Sequence, residues 1–251
     1  MVVPGLVSVT FRRHSVVEVV GLVVSTGLSA VEWGADVHVP TVAAAREAAA
    51  RCAAAGVEIA AYGSYYRAGE SADFPDVLRT ALALGAPRIR IWAGRHGSAQ
   101  VSDRTAVVAD LEVVTAQAAS EGIEICLEHH ANTLTDTVES TVDLLRAVPA
   151  ARPYWQPPIG ARPADALAAV RTLRPVTAHV FTWDDQGTRH PLAAGERLWR
   201  PVLSAMGELP APRYALLEFV RDDDPATFRT DAATLRAWLR AETTDRAAAA
   251  E

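Results

Sequence analysis

The chain contains no lysine, so all 24 of its basic residues are arginine. This excludes a Schiff-base lysine, a pyridoxal phosphate anchor, a P-loop and a kinase-type phosphate lysine. Cysteine is almost absent too. Cys52 lies in an Ala-rich helical run and Cys126 in an apolar strand-like run, which makes neither a disulfide framework nor a thiolate metal site. Positive charge is not in excess. Thirty acids against 24 bases leave a net charge of −6, which argues against a nucleic-acid face. No uncharged apolar run reaches the roughly 18 residues of a membrane span. Met1 to Thr10 lack the basic stretch and cleavage site of a secretory leader. The expectation is a cytoplasmic protein that acts on a small molecule, with neither nucleic acid nor membrane as partner.

What is present is 251 residues, half of them hydrophobic, enough for one large domain. Short apolar runs fall near 6–11, 30–34, 57–66, 88–94, 124–130, 153–158, 176–183 and 214–220. Helix-period segments alternate with them near 15–26, 41–55, 73–84, 102–121, 135–147, 163–173, 195–207 and 225–241. Gly27, Gly56, Gly85 and Gly122 each follow a helical run, where a C-terminal cap wants positive φ. Ser102, Thr135 and Asp224-Pro225 stand at the expected helix starts. Eight strand–helix units in this length predict a single-domain α/β fold, a (β/α)8 TIM barrel over residues 1–242, with 243–251 a frayed tail. An open doubly wound sheet would carry a Gly-rich turn after its first strand, and the chain reads TFRRHS there.

A barrel holds its chemistry at the C-terminal ends of its strands. Polar residues that interrupt apolar strands there are Glu32, Glu128 with His129 and His130, Gln156, His179 and Glu218. A carboxylate on a buried strand is costly unless paired or metal-bound. Alternation puts Cys126, Glu128 and His130 on one face and would turn His129 towards the helices. If Glu128, Gln156, His179 and Glu218 all point inward, four consecutive strands converge on one point. Two carboxylates, an imidazole and an amide oxygen form a hard set suited to Mn²⁺, Mg²⁺ or Co²⁺, with Zn²⁺ a further candidate. Glu32 reads equally well as a substrate contact or as a structural salt bridge. Arg90 is a nearby partner for a glutamate.

The order Glu, ligand, His, Glu over strands five to eight resembles the xylose isomerase-like TIM barrels, the sugar phosphate isomerase/epimerase and endonuclease IV-like superfamily. The residues carrying this are LEHH (Leu127–His130), His179 in AHVF and Glu218 in LLEF. Strand six departs from the pattern: the family commonly has Asp, often with His three residues on, and this chain has Gln156 and Ile159. The resemblance implies a divalent-metal-dependent isomerase or epimerase of a small sugar or related polyhydroxy carbonyl compound. It implies Glu128 and Glu218 as the proton-transferring pair, acting through a metal-stabilised enediolate. Glu32, His38, Tyr62, Trp92, His130, Asn132, Trp155 and Trp183 are the expected substrate contacts, the aromatic ones covering the C–H face of a sugar. A dimer or tetramer is compatible with the resemblance. Two alternatives stand beside it: a metal-dependent dehydratase or lyase on the same scaffold, and a catalytically silent ligand-binding barrel. A DNA-repair endonuclease fits poorly with seven His and a net charge of −6.

Overall fold

The structure is a computed structural model that describes residues 1–210 and 212–249. Eight parallel strands close into a barrel: β1 (Val2–Val7), β2 (Ala30–Gly34), β3 (Glu58–Ala68), β4 (Arg88–Ala93), β5 (Glu124–Glu128), β6 (Arg152–Trp155), β7 (Thr177–Val180) and β10 (Arg213–Leu217). The order around the barrel is β1-β10-β7-β6-β5-β4-β3-β2, with β1 pairing both β2 and β10. Helices α1 (Val16–Ser25), α2 (Val42–Ala55), α3 (Phe74–Leu84), α4 (Thr105–Ser120), α5 (Val138–Ala147), α6 (Pro163–Leu173), α7 (Glu196–Gly207) and α8 (Pro225–Ala249) alternate with these strands. A short antiparallel pair, β8 (Thr182–Trp183) and β9 (Arg189–His190), stands in the connection from β7 to α7. The fold is therefore the single-domain (β/α)8 barrel read from the alternation. Of the tail expected to fray from residue 243, the backbone through Ala249 continues α8, and residues 250–251 lie outside the described residues.

Local chemistry sets most boundaries. Ser15 and Glu18 form a reciprocal capping box at the start of α1. Gly56 and Gly85 close α2 and α3 with φ of 66° and 72°, conformations that cost a side chain dearly. Helix α5 is capped by Thr137, whose hydroxyl accepts the Ser140 N–H at 3.1 Å, not by Thr135, and α4 starts three residues after Ser102. The Thr135 hydroxyl instead donates to the Glu128 carbonyl.

Strand β1 is shifted from the expected 6–11. It runs through Pro4-Gly5, while residues 8–11 wind into a 3-10 turn. Gly5 explains the shift, because a Cβ there would lie 2.5 Å from the Ala30 carbonyl oxygen and 2.6 Å from Leu216 Cδ2. The barrel interior is filled by two small clusters: Val7, Ala30, Ala60, Tyr214 and Leu216, and Ala61, Cys126, Tyr154 and Val176. The larger core lies between strands and helices and includes Leu127, Trp155 and Trp199. The polar strand ends stand above the inner clusters.

Candidate active site

A cavity of about 770 Å³ opens at the C-terminal ends of the strands. Its floor is a buried charge network. Glu32 on β2 is completely buried. Its Oε1 accepts from Arg90 Nε at 2.9 Å, and its Oε2 accepts from the Tyr154 hydroxyl and from His179 Nε2 at 3.3 Å. Burial pushes the Glu32 carboxyl up, but the charges of Arg90 and His179 and the hydrogen bonds from His179 and Tyr154 outweigh it, holding it at about 2. Arg90 also reaches Glu128 Oε2 through Nη1, beside the Trp92 indole N–H. The ion pair crosses Gly63, where a Cβ would meet Glu32 Oε1 at 2.5 Å and Arg90 Nη2 at 2.8 Å. Only glycine leaves this space.

An ionised carboxylate only accepts, so His179 Nε2 carries the proton towards Glu32. Its Nδ1 then faces Glu218 Oε2 at 3.1 Å and Glu128 Oε1 at 3.7 Å. Burial works against a charge on His179, yet Glu218 and Glu32 push its pKa up to about 10. Nδ1 thus looks at a point strongly favourable to positive charge. Gln156 donates its amide N–H to Glu128 Oε1 at 3.0 Å. The backbone after Glu128 is fixed by Thr135 and by Thr133, whose hydroxyl donates to the His130 carbonyl at 2.7 Å.

Among the described residues no group of three or more His, Cys, Asp or Glu is spaced as a finished cation site. The chemistry of the donor set nevertheless fits a divalent ion. His179 Nδ1 and Glu218 Oε2 are buried, with no hydrogen-bond partner besides the contact they make with each other. Neighbouring ligands of one cation at bond lengths of about 2.1 Å stand roughly 3 Å apart, close to the spacing of this pair. Three carboxylates (Glu32, Glu128, Glu218) and one guanidinium (Arg90) leave two negative charges, which a divalent cation balances if His179 is neutral. Gln156 presents N–H rather than its carbonyl to this centre, so three atoms, not four, converge as they stand.

Two aromatic groups flank the floor. Tyr65 and Trp92 meet edge to face at 5.2 Å, with His130 5.4 Å from Trp92. Phe181, Trp183 and Phe219 form the second group, with centroids 5.0 to 5.5 Å apart. Phe219 directly follows Glu218 and holds φ of 49°, a left-handed backbone costing an aromatic residue about 1–3 kcal/mol. That strain aims its ring into the cavity wall.

Of the expected substrate contacts, Trp92, His130, Asn132 and Trp183 line the cavity, together with Glu128, Gln156 and Glu218. Four others do not. Glu32 is sealed beneath Arg90 and Tyr154, so its salt-bridge reading is the one the structure shows. His38 is buried between the Ser8 hydroxyl and the His14 carbonyl, each at 3.0 Å. The Tyr62 hydroxyl donates to the Val39 carbonyl at 3.2 Å. Trp155 packs on Trp199 among the helices, because Tyr154 and Gln156 take the inner face of their strand. His129 corrects the alternation argument: β5 ends at Glu128, and His129 lines the cavity. Sequence reasoning misses Tyr154, Arg189, Asp223 and Phe219 as site residues, and a left-handed phenylalanine leaves no mark in sequence pattern.

A family model described as xylose isomerase-like TIM barrel matches residues 20–241. The chain belongs to that family. No curated protein matches it significantly. Among solved structures, this xylose isomerase-like barrel is similar to the probable 3-DHS dehydratase AsbF of Bacillus anthracis, involved in petrobactin synthesis. The TM-score is 0.79 at 19% identity, covering 94% of this chain and 99% of that one. It is also similar to D-psicose 3-epimerase of Clostridium cellulolyticum H10, solved with D-tagatose (TM-score 0.69, 15% identity, 94% and 98% covered). A third is a xylose isomerase-like TIM barrel protein of Mycobacterium smegmatis in complex with magnesium (TM-score 0.67, 14% identity, 92% and 91% covered). At these identities the likeness is one of fold. No helix among the described residues is long and apolar enough to cross a membrane.

Proposed function

We propose that this chain is a divalent-metal-dependent isomerase or epimerase of a small sugar or related polyhydroxy carbonyl compound. The observation that carries the reading is the buried pair His179 Nδ1 and Glu218 Oε2, 3.1 Å apart and with no partner besides each other, with Glu128 Oε1 3.7 Å from the same nitrogen. His179, Glu218 and Glu128 would hold the ion, with Gln156 joining if its amide turns. When bound there, a divalent cation supplies polarisation of the substrate carbonyl and a counter-charge for its oxygen.

The chain's own residues do the rest. Glu128 and Glu218 come from strands three places apart in a ring of eight and so approach a substrate from different sides. One removes the proton α to the carbonyl, and the other returns a proton to the resulting enediolate. Glu218 Oε2 meets His179 Nδ1 and no other hydrogen-bonding group among the described residues, so one contact is exchanged when it accepts a proton. Glu128 Oε2 is occupied by Arg90 and Trp92, and Oε1 is held by the Gln156 amide alone, so Oε1 would be the oxygen that exchanges a proton with substrate. Glu32 fixes the His179 ring through Nε2, the outer contact that sets which nitrogen faces inward. Trp92 and Trp183, which line the cavity, would cover C–H faces, and His130 and Asn132 would meet hydroxyls.

The likeness to a probable dehydratase supports a second reading, elimination of water from a β-hydroxy ketone by the same pair of glutamates. Incubation with a ketose panel and Mn²⁺, followed by chromatography and mass spectrometry, separates the two. An isomer of equal mass supports the isomerase. A product lighter by one water with a new ultraviolet enone band supports the lyase, and no product from any ketose contradicts both.

A further inference from the structure

The walls and charges of the cavity restrict what can enter it. The arginines lining it are Arg12, Arg90 and Arg189, and each is already committed. Arg12 pairs with Asp36. Arg90 is shared between Glu32 and Glu128. Arg189 donates from Nη1 to Asp223 at 2.7 Å and lies over Phe219, 5.2 Å from its ring centroid. Three arginines further out are paired as well, Arg221 lying 3.4 Å from Asp222. Arg67 stacks on Trp92 at 4.2 Å and donates to the Gly94 carbonyl, and Arg95 pairs with Glu70. Four carboxylates line the same cavity: Glu128, Asp136, Glu218 and Asp223.

Barrels of this architecture frequently hold a phosphate group at the loops after the seventh and eighth strands. Here those loops carry Asp184 and Asp185, and Asp222, Asp223 and Asp224. The start of α5, another place where backbone N–H groups could meet an anion, is guarded by Asp136, whose Oδ2 already takes the Ser98 N–H at 3.0 Å. Away from the cation proposed at Glu128 and Glu218, a phosphate dianion would therefore face Asp136 and Asp223 and no uncommitted arginine among the described lining residues.

Apolar recognition is well developed by contrast. Tyr65–Trp92 belongs to β3 and β4, and Phe181–Trp183–Phe219 to the segments after β7 and β10. In the order around the barrel these pairs of strands lie opposite one another. A substrate between them is gripped on two sides by aromatic faces, which suits a ring or chain with exposed C–H groups.

We propose that the substrate is an uncharged, unphosphorylated polyhydroxy carbonyl compound whose C–H faces lie between the two aromatic walls. This rests on the isomerase reading for the carbonyl, but the charge selection rests on the lining aspartates and the paired arginines. The test is a binding titration read from the fluorescence of Trp92 and Trp183, which does not require turnover. The probes are D-fructose, D-tagatose and D-psicose, their 6-phosphates, and inorganic phosphate. The expected result is binding of at least one free ketose about tenfold or more tighter than its 6-phosphate, and no saturable binding of inorganic phosphate. In the double variant Asp36→Asn/Asp223→Asn, which releases Arg12 and Arg189, that preference shrinks by about fivefold or more. Equal or tighter binding of a 6-phosphate, saturable inorganic phosphate, or an unchanged preference in the double variant overturns the proposal. So does failure of every free ketose to bind. Binding of free ketoses without isomerisation or elimination would instead sink the reaction assigned above and leave the charge selection intact.

Discussion

Replacing Arg90 by leucine tests the network beneath the cavity. The substitution leaves Glu32, completely buried, and Glu128, 4% exposed, without the guanidinium they share. Removing one partner of a buried ion pair costs about 3–5 kcal/mol. Glu32 is held at about 2 against an ordinary 4.5 by Arg90, His179 and Tyr154 acting together against burial. The sign with pH follows from the same residue. In the native protein the lowered Glu32 pKa contributes stability above pH 4.5 that is lost as pH falls towards about 2. Without Arg90, burial is opposed only by His179 and Tyr154, so the Glu32 pKa rises and less of that stability remains at neutral pH. The deficit of Arg90→Leu is therefore largest near pH 7 and shrinks near pH 4.5. Urea denaturation followed by tryptophan fluorescence and circular dichroism at the two pH values measures it. Arg90→Lys, which keeps the charge but not the fork, should fall between the two. A deficit under about 1 kcal/mol near pH 7, or one that does not change with pH, refutes the reasoning.

Gly63→Ala forces a methyl group against Glu32 Oε1 and Arg90 Nη2 and should cost about 1–3 kcal/mol, read as a lower urea midpoint. An unchanged midpoint would mean the ion pair does not need this gap. Asp231 accepts the Leu192 N–H at 2.8 Å, and burial raises its pKa to about 6. Its protonated form is favoured in the fold, so its contribution to stability is lost as pH rises from about 4 to about 6. Asp231→Asn should therefore gain about 2–4 °C in Tm above pH 6 and little at pH 4, and a difference flat with pH contradicts this. Gln156→Asp places a further carboxylate beside Glu128. Calorimetry should show tighter Mn²⁺ binding and a metal-free protein of lower Tm, whereas unchanged or weaker binding would show that residue 156 does not face the ion.

The architecture was legible because helices and strands alternate with clear punctuation. The faces of Glu128, Gln156, His179 and Glu218 followed from the two-residue period of a strand. The same period, applied to aromatic residues, would have turned Tyr62 and Trp155 outward. They were grouped with the sugar-facing rings by type rather than by face. Glu32 was ambiguous because a buried carboxylate needs a cation, and only the barrel order shows that Arg90 is near enough to both Glu32 and Glu128. Strand β1 begins before the apolar run near 6–11 because close packing against Ala30 and Leu216 requires glycine, which Gly5 supplies. The Arg189–Asp223 clamp and the strained Phe219 depend on loop conformations that no periodicity encodes.

The central claim is that Glu128 and Glu218 move a proton α to a carbonyl in a site where they and His179 would hold a divalent cation. Deuterium uptake from D₂O into D-fructose, D-tagatose and D-psicose, quantified by mass spectrometry, tests it most directly because it detects enolisation whatever the product. The account predicts uptake with Mn²⁺, Mg²⁺ or Co²⁺, its loss on chelation, and its loss in Glu218→Gln. No uptake with any of these ions, or uptake that survives both chelation and Glu218→Gln, would contradict it.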